Sequence, residues 1–278
     1  MKSIQKPIVI VGAGFAGMTV ALNLKNINPS LPIIVVDSES NFIFKPLMYE
    51  VLSKEIRSWE VTPKFANIFS AAGITFLRNF LTKISFKENI LEFSDDLKLS
   101  YQYLVLCTGS IPNSFLIKGV AENCYFFNDI NDLYKLNSFI KKSQDTALHK
   151  KLFIVGGGPS GIELACKIKD IFTDQFDINV IEKSNEILNK NKIFNREQAE
   201  QAIKKRNIKV FLNSKVTEVS ETKISISSED GIISLDFSIT LISNWSLNIS
   251  LILHANSMPE GPPPTMNNFL CKAVSCDF

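Results

Sequence analysis

The sequence predicts an α/β fold built from two Rossmann-like βαβ units in tandem, and three observations predict it. A Gly-x-Gly-x-x-Gly loop lies between an apolar run and a helical pattern near the start of the chain. The same arrangement returns in the middle of the chain, and an acidic residue closes the apolar run that follows each loop.

The first copy starts at Pro7–Val11 (PIVIV), a short β-branched run of the kind that forms a strand buried on both faces. GAGFAG follows, then the helical pattern FAGMTVALNLKN, then a second apolar run, PIIVVD, ending at Asp37. In such a loop Gly12 permits the tight turn, Gly14 lets a pyrophosphate approach the backbone, and Gly17 lets the helix pack close to the strand. The open amides and partial positive charge of the helix N-terminus favour phosphate. Asp37 then stands where a carboxylate accepts hydrogen bonds from ribose hydroxyls.

The second copy runs from KLFIV (Lys151–Val155) through GGGPSG and IELACKIKDIF to INVIE, ending at Glu182. Gly156, Gly158 and Gly161 repeat the spacing of Gly12, Gly14 and Gly17. From first glycine to acid the interval is 25 residues in one copy (12 to 37) and 26 in the other (156 to 182). The likeness extends further, because Gly73–Ser110 aligns with Asn207–Ser243 and places Ile74 on Ile208, Leu81 on Val216 and Val105 on Thr240. Each segment reads as a core strand, a meander of alternating residues and a returning strand. Residues 1 to about 115 and about 120 to 243 therefore read as two copies of one fold.

Composition restricts the function classes. The chain has 278 residues, 45% hydrophobic and 21% charged, enough for a sizeable core. A net charge of +2 argues against a nucleic-acid partner. Lys2 and Lys6 before the apolar run imitate a signal peptide, but three glycines at fixed spacing explain that run better. No uninterrupted apolar stretch reaches the ~18 residues that suggest a spanning helix. The five cysteines, Cys107, Cys124, Cys166, Cys271 and Cys276, are odd in number and lack C-x-x-C, which favours a reducing compartment over a disulfide framework or a zinc site. His149 and His254 are the only histidines and stand apart, so no Ser/His/Asp or metal constellation is expected.

Two dinucleotide signatures in one chain suggest electrons passing between two bound cofactors. With YLVLCTGSIPN, an apolar strand ending in a Thr108-Gly109 turn, the chain resembles the two-dinucleotide-binding flavoproteins of the pyridine nucleotide-disulfide oxidoreductase superfamily. The resemblance implies FAD at the first cradle and NADH at the second, with Leu81 against the adenine through its backbone. It implies hydride passing from nicotinamide to flavin and two electrons passing on to an acceptor. Glu182 favours NADH over NADPH, since a 2'-phosphate about 4 Å from the carboxylate meets repulsion of up to about 4 kcal/mol at an effective dielectric near 20. Lys183 softens that preference.

Between the copies' motifs lies NFIFKPLMYEVLSKEIRSWEV (Asn41–Val61), where an ordinary crossover helix is expected. On pattern alone it also reads as an amphipathic surface helix with an aromatic core stripe. With Phe44, Pro46, Leu47 and Met48, then Glu60, Val61, Thr62 and Pro63, it resembles the segment of type II NADH dehydrogenases, single-subunit NADH:quinone oxidoreductases, that passes over the flavin. Lys45 and Tyr49 are most similar to the cyanobacterial and plastid branch. The resemblance places Lys45 and Pro46 near the isoalloxazine, and Glu163 of GPSGIELA facing the nicotinamide as the one catalytic candidate. A carboxylate near a helix N-terminus is also favourable for structure alone.

The resemblance covers residues 7 to about 243. It predicts an FAD-binding domain at 1–118 lacking its return segment, an NAD(H)-binding domain at 119–243 and an atypical tail at 244–278. The tail has three consecutive prolines and neither a Gly-Asp turn nor a long amphipathic helix, as after a frameshift or truncation near Ser243. The expected consequences are a bare strand edge, weakened FAD retention and impaired quinone reduction. The partners implied are a quinone acceptor and a membrane surface reached through C-terminal helices that this tail does not supply, with room for a homodimer. The expected location is cytoplasmic or peripheral on the cytoplasmic face of a membrane. A soluble ferredoxin- or rubredoxin-reductase-like flavoprotein and a non-catalytic nucleotide-binding remnant remain as alternatives.

Overall fold

A computed structural model describes residues 6–112, 114–144, 150–172, 175–229, 231–242 and 252–255. The chain begins β1 (Ile8–Val11), α1 (Phe15–Ile27), β2 (Ile33–Asp37), then a 3-10 turn (Lys45–Leu47) with the short helices α2 (Met48–Leu52) and α3 (Ser58–Val61). Next come α4 (Phe65–Ala71), β3 (Thr75–Arg78), β4 (Leu81–Ser85), β5 (Ile90–Phe93), β6 (Lys98–Ser100) and β7 (Tyr103–Leu106). The second copy comprises α5 (Val120–Asn123), β8 (Tyr125–Phe126), α6 (Ile130–Gln144), β9 (Lys150–Val155), α7 (Pro159–Ile171) and β10 (Phe176–Ile181). It continues with α8 (Ile193–Lys205), β11 (Lys209–Phe211), β12 (Lys215–Val219), β13 (Lys223–Ser228), β14 (Gly231–Asp236) and β15 (Ile239–Ile242); β16 (Ile252–Ala255) follows.

The chain divides into two compact units, one of residues 1–43, 62–110 and 247–278, the other of residues 44–61 and 111–246. In the first, a sheet of order β16-β7-β1-β2-β3 is parallel from β7 to β3. β1 is buried on both faces because each face is covered: Ile8 and Ile10 pack with α1 and α4 through Val20, Leu24 and Phe69, while Val9 and Val11 pack with Leu91, Phe93 and Tyr101. Such strands read as continuous apolar runs, and each fully buried Val or Ile contributes about 1.5–3 kcal/mol. The small antiparallel sheet β4-β5-β6 supplies the second of these faces.

The second unit repeats the plan. Its sheet has the order β11-β10-β9-β15-β8, all parallel, beside the antiparallel sheet β12-β13-β14. Ile10 pairs with Val105 in one sheet as Ile154 pairs with Leu241 in the other, within a residue of the repeat read from sequence.

The structure departs from expectation in two places. The β7 edge, expected to be bare, carries β16 in antiparallel register, Ile252 opposite Leu106 and Ala255 opposite Tyr103. Ladder bonds are made by backbone, so an extended segment can cover an edge without carrying a family motif. The segment 44–61 is neither a crossover helix nor one amphipathic helix; it is broken into a 3-10 turn and two short helices that belong to the second unit. Among the described residues no helix is long and apolar enough to cross a membrane. His149, Cys271 and Cys276 lie outside the described residues.

Candidate functional site

Each unit carries one glycine cradle. Gly12 has φ +98° and Gly156 φ +112°, a left-handed region open to glycine. At Gly12 a Cβ would also stand 2.0 Å from the Cys107 carbonyl oxygen, and at Gly17 one would stand 1.8 Å from the Gly12 oxygen. Strand, turn and helix are thus packed too closely for any side chain at these two positions.

Gly14 and Gly158 differ. Gly14 (φ −62°, ψ −166°) and Gly158 (φ −75°, ψ −179°) adopt extended backbone that other residues adopt, and a Cβ at either would meet nothing within 4 Å. Among the described residues nothing requires glycine there. Both are N-caps, of α1 and α7, and bring no side chain to the open amides of the first turn. The residues therefore fit a phosphate group in each cradle, since the space kept clear lies at a helix end that favours anions.

The acid of each copy turns back onto its own loop. Asp37 accepts from the Ala13 amide at 2.6 Å and from the Glu39 amide at 2.9 Å. Glu182 accepts from the Gly157 amide at 2.7 Å and from the Ser184 amide at 2.8 Å. Each carboxylate oxygen accepts one such bond and keeps further acceptor capacity for a ligand hydroxyl. The repeat is therefore one of hydrogen bonding as well as spacing.

In the first unit the other predicted residues are divided between its two sheets. Leu81 opens β4 opposite Phe93, half-buried against the Val9 and Leu91 cluster. Thr108 and Gly109 follow β7 and are exposed, Gly109 with φ +71°. Gly161 is buried in the first turn of α7 in the second unit.

The second unit also gathers residues of the 44–61 segment around α6 and α7. The Lys45 ammonium donates to Asn128 Oδ1 at 2.8 Å. Burial depresses the Lys45 pKa, while Asp129 and Asp132 oppose the shift. Pro46 is exposed beside it in the 3-10 turn. Tyr49 is 2% exposed; its hydroxyl donates to the Ser160 carbonyl at 3.3 Å, and its ring lies 5.2 Å from that of Phe127. Glu55 pairs with Lys167 at 2.6 Å, and Tyr134 donates to Ser58 at 2.8 Å.

Glu163 projects from α7 within this group and remains partly open to solvent. Burial raises its pKa, the Glu50 carboxylate raises it further, and Lys167 opposes both. Burial and then Glu163 likewise raise the Tyr49 phenol, against the Ser160 hydrogen bond. Glu50 Oε2 is buried without a hydrogen-bond partner among the described residues. Sequence reasoning missed Glu50, Asn128 and Ser160, because their partners are about a hundred residues away and no local spacing marks them. Lys45, Pro46, Glu163, Glu182 and the second glycine set all belong to the second unit; Gly12, Gly14, Gly17, Asp37, Leu81, Thr108 and Gly109 belong to the first. No group of His, Cys, Asp or Glu among the described residues is arranged to hold a metal.

Comparison with known proteins gives a consistent set of relatives. The family model described as pyridine nucleotide-disulphide oxidoreductase matches residues 6–243. The chain is 30% identical over 238 residues to demethylphylloquinone reductase NdbB of Synechocystis sp., covering 81% of this chain and 58% of the relative. It is 27% identical over 233 residues to the alternative NAD(P)H-ubiquinone oxidoreductase C1 of Arabidopsis thaliana, covering 76% of this chain and 45% of that one. The solved structure of NDH2 from Plasmodium falciparum in complex with NADH shares the fold, with a TM-score of 0.76 at 22% identity, covering 86% of this chain and 55% of that chain. The chain spans about half the length of the curated relatives it matches.

Proposed function

Because this chain belongs to the pyridine nucleotide-disulphide oxidoreductase family, we propose that its two cradles hold FAD and NADH, in that order, and that it serves transfer of reducing equivalents from NADH to a quinone. The observation that carries this reading is the pair of glycines, Gly14 and Gly158, whose side-chain space is kept clear although neither backbone conformation requires glycine. Quinone is the acceptor because the relatives are named for quinone reduction.

When bound, FAD supplies an isoalloxazine that accepts a hydride equivalent and releases electrons singly or in pairs. The protein's part is placement. The α1 and α7 N-termini take the two pyrophosphates, and Asp37 and Glu182 accept from the riboses while fixing their own loops. In this reading the flavin domain spans residues 1–118 and the nicotinamide domain 119–243, with the 44–61 segment packed in the second unit. Leu81, Thr108 and Gly109 line the flavin side. On the resemblance, Lys45 and Pro46 would serve the flavin ring and Glu163 the nicotinamide. The aromatic and apolar side chains of the segment exclude water near the redox rings. Access to quinone places the working protein peripherally at a membrane surface, on the cytoplasmic face, with room for a homodimer.

The test is an anaerobic titration of the purified chain, supplied with FAD, against NADH. Loss of the flavin's visible absorbance on adding NADH, followed by its return on adding a soluble quinone, supports the reading. NADH binding that leaves the flavin oxidised, or no FAD binding at all, overturns it for this chain. Return of the absorbance with an iron-sulfur protein but not with quinone would instead favour the soluble ferredoxin-reductase type.

A further inference from the structure

A cleft of about 590 Å³ opens in the second unit between the 44–61 segment and α6, within the size range of small-molecule sites. Its floor is apolar, formed by the buried side chains of Val51 and Leu133. Lys54 and Arg57 stand on one side, and Asn137 and Ser138 of α6 line the other; no acidic side chain lines it. Among the described residues neither cation has an ion-pair partner, although four other Lys or Arg side chains of this unit do, Lys118, Lys167, Arg196 and Arg206. Glu60, the nearby carboxylate of α3, accepts from the Arg57 backbone amide at 2.8 Å.

The backbone gives the second observation. Lys54 is held at φ +64°, a left-handed conformation that strains a residue with a side chain and that glycine would adopt without this strain. The turn after α2 thus keeps a lysine at a place where glycine is the relaxed choice, and the chain reversal sets Lys54 and Arg57 around one opening. A guanidinium fork and an ammonium together match an anion with several oxygens better than a single carboxylate. The apolar floor matches a ligand whose anionic group is attached to an apolar body.

We infer that this cleft binds a phosphate ester carrying an apolar group, with Lys54 and Arg57 on the phosphate and Val51 and Leu133 against the apolar part. Two sources share this chemistry, a free phosphorylated small molecule and the headgroup region of an anionic phospholipid. No residue of either glycine cradle lines the cleft, and the inference does not depend on the redox reading.

The test uses the full chain and the variant K54G/R57Q. Lys54→Gly removes the charge at the position where glycine relieves backbone strain, so thermal unfolding checks that the fold survives. Phenyl phosphate, inorganic phosphate and phenol are titrated by calorimetry. Vesicles of phosphatidylglycerol and of phosphatidylcholine are compared by co-sedimentation. Phenyl phosphate is expected to bind more tightly than either fragment, and the variant is expected to weaken it about tenfold or more, the loss of two charge-assisted contacts. That result supports the inference with a free compound as source. Sedimentation with phosphatidylglycerol but not phosphatidylcholine, lost in the variant, supports it with lipid as source. Equal behaviour of wild type and a folded variant in both arms overturns it. So does an Arg57→Gln chain that keeps its fold and binds both probes unchanged while the double variant has lost its fold.

Discussion

Glu182 closes over Gly157: its carboxylate accepts the Gly157 amide at 2.7 Å, and its Cβ and Cγ occupy the space a methyl group on Gly157 would need, at 2.9 and 3.0 Å. In the first copy the same place is taken by Ala13, which is fully buried and donates to the shorter Asp37 at 2.6 Å. The loop residue and the acid are matched in size, alanine with aspartate and glycine with glutamate.

Gly157→Ala should therefore destabilise the second unit by about 1 kcal/mol, because the longer acid must move aside. Adding Glu182→Asp should recover most of that loss, since the pair then copies Ala13 and Asp37. Denaturant unfolding of the four proteins in the cycle measures the coupling. Strictly additive effects would refute the size match.

The cradle glycines should separate by role. Gly17→Ala drives a methyl into the Gly12 carbonyl and should cost roughly 3 kcal/mol or prevent folding. Gly14→Ala and Gly158→Ala should change stability by less than about 1 kcal/mol, because space and backbone both accept them. On the proposed function, the first should weaken FAD binding and the second NADH binding, each without affecting the other ligand. Fluorescence titration of the two variants decides this, and unchanged affinities would remove the pyrophosphates from these loops.

Tyr49 tests the allegiance of the 44–61 segment. Truncation to alanine opens a cavity beside Phe127 and should cost about 3–5 kcal/mol of second-unit stability. Tyr49→Phe loses only a long hydrogen bond and should cost less than about 1 kcal/mol. If the alanine variant unfolds like wild type, the segment is not held by this ring.

Glu163 predicts a pH dependence. Its folded-state pKa lies above the ordinary value of 4.5, chiefly through burial and then through Glu50. The folded state therefore binds more protons than the unfolded state between the two values, so the group's contribution is present below 4.5 and falls as pH rises through the folded value. Glu163→Gln should flatten this part of the stability curve and leave the chain relatively more stable on its neutral side. The effect should be small, because the side chain is partly exposed. Thermal unfolding across mildly acidic to neutral pH measures it, and parallel curves for both proteins would contradict the assignment.

Much of the candidate site was legible because its determinants are local. The glycine spacing, the apolar runs and the closing acids lie within one βαβ unit, and the left-handed turn at Gly12 and the close approach of Gly17 to the Gly12 carbonyl demand glycine from within the loop itself. Repetition of the pattern made each copy a check on the other. The acids' own hydrogen bonds to the loop amides were not legible, since an acid at a strand end indicates a ribose partner equally well.

By itself, the sequence determined two cradles, their order and the strands that carry them, because periodicity and steric exclusion act over a few residues. Only the tertiary structure decided where the 44–61 segment belongs and what covers the β7 edge. Lys45 finds Asn128, Tyr49 finds Ser160 and Glu55 finds Lys167 across separations of 83, 111 and 112 residues. Contacts that distant are selected by burial and geometry once the units have formed, and β16 pairs through backbone groups that every residue but proline carries in full.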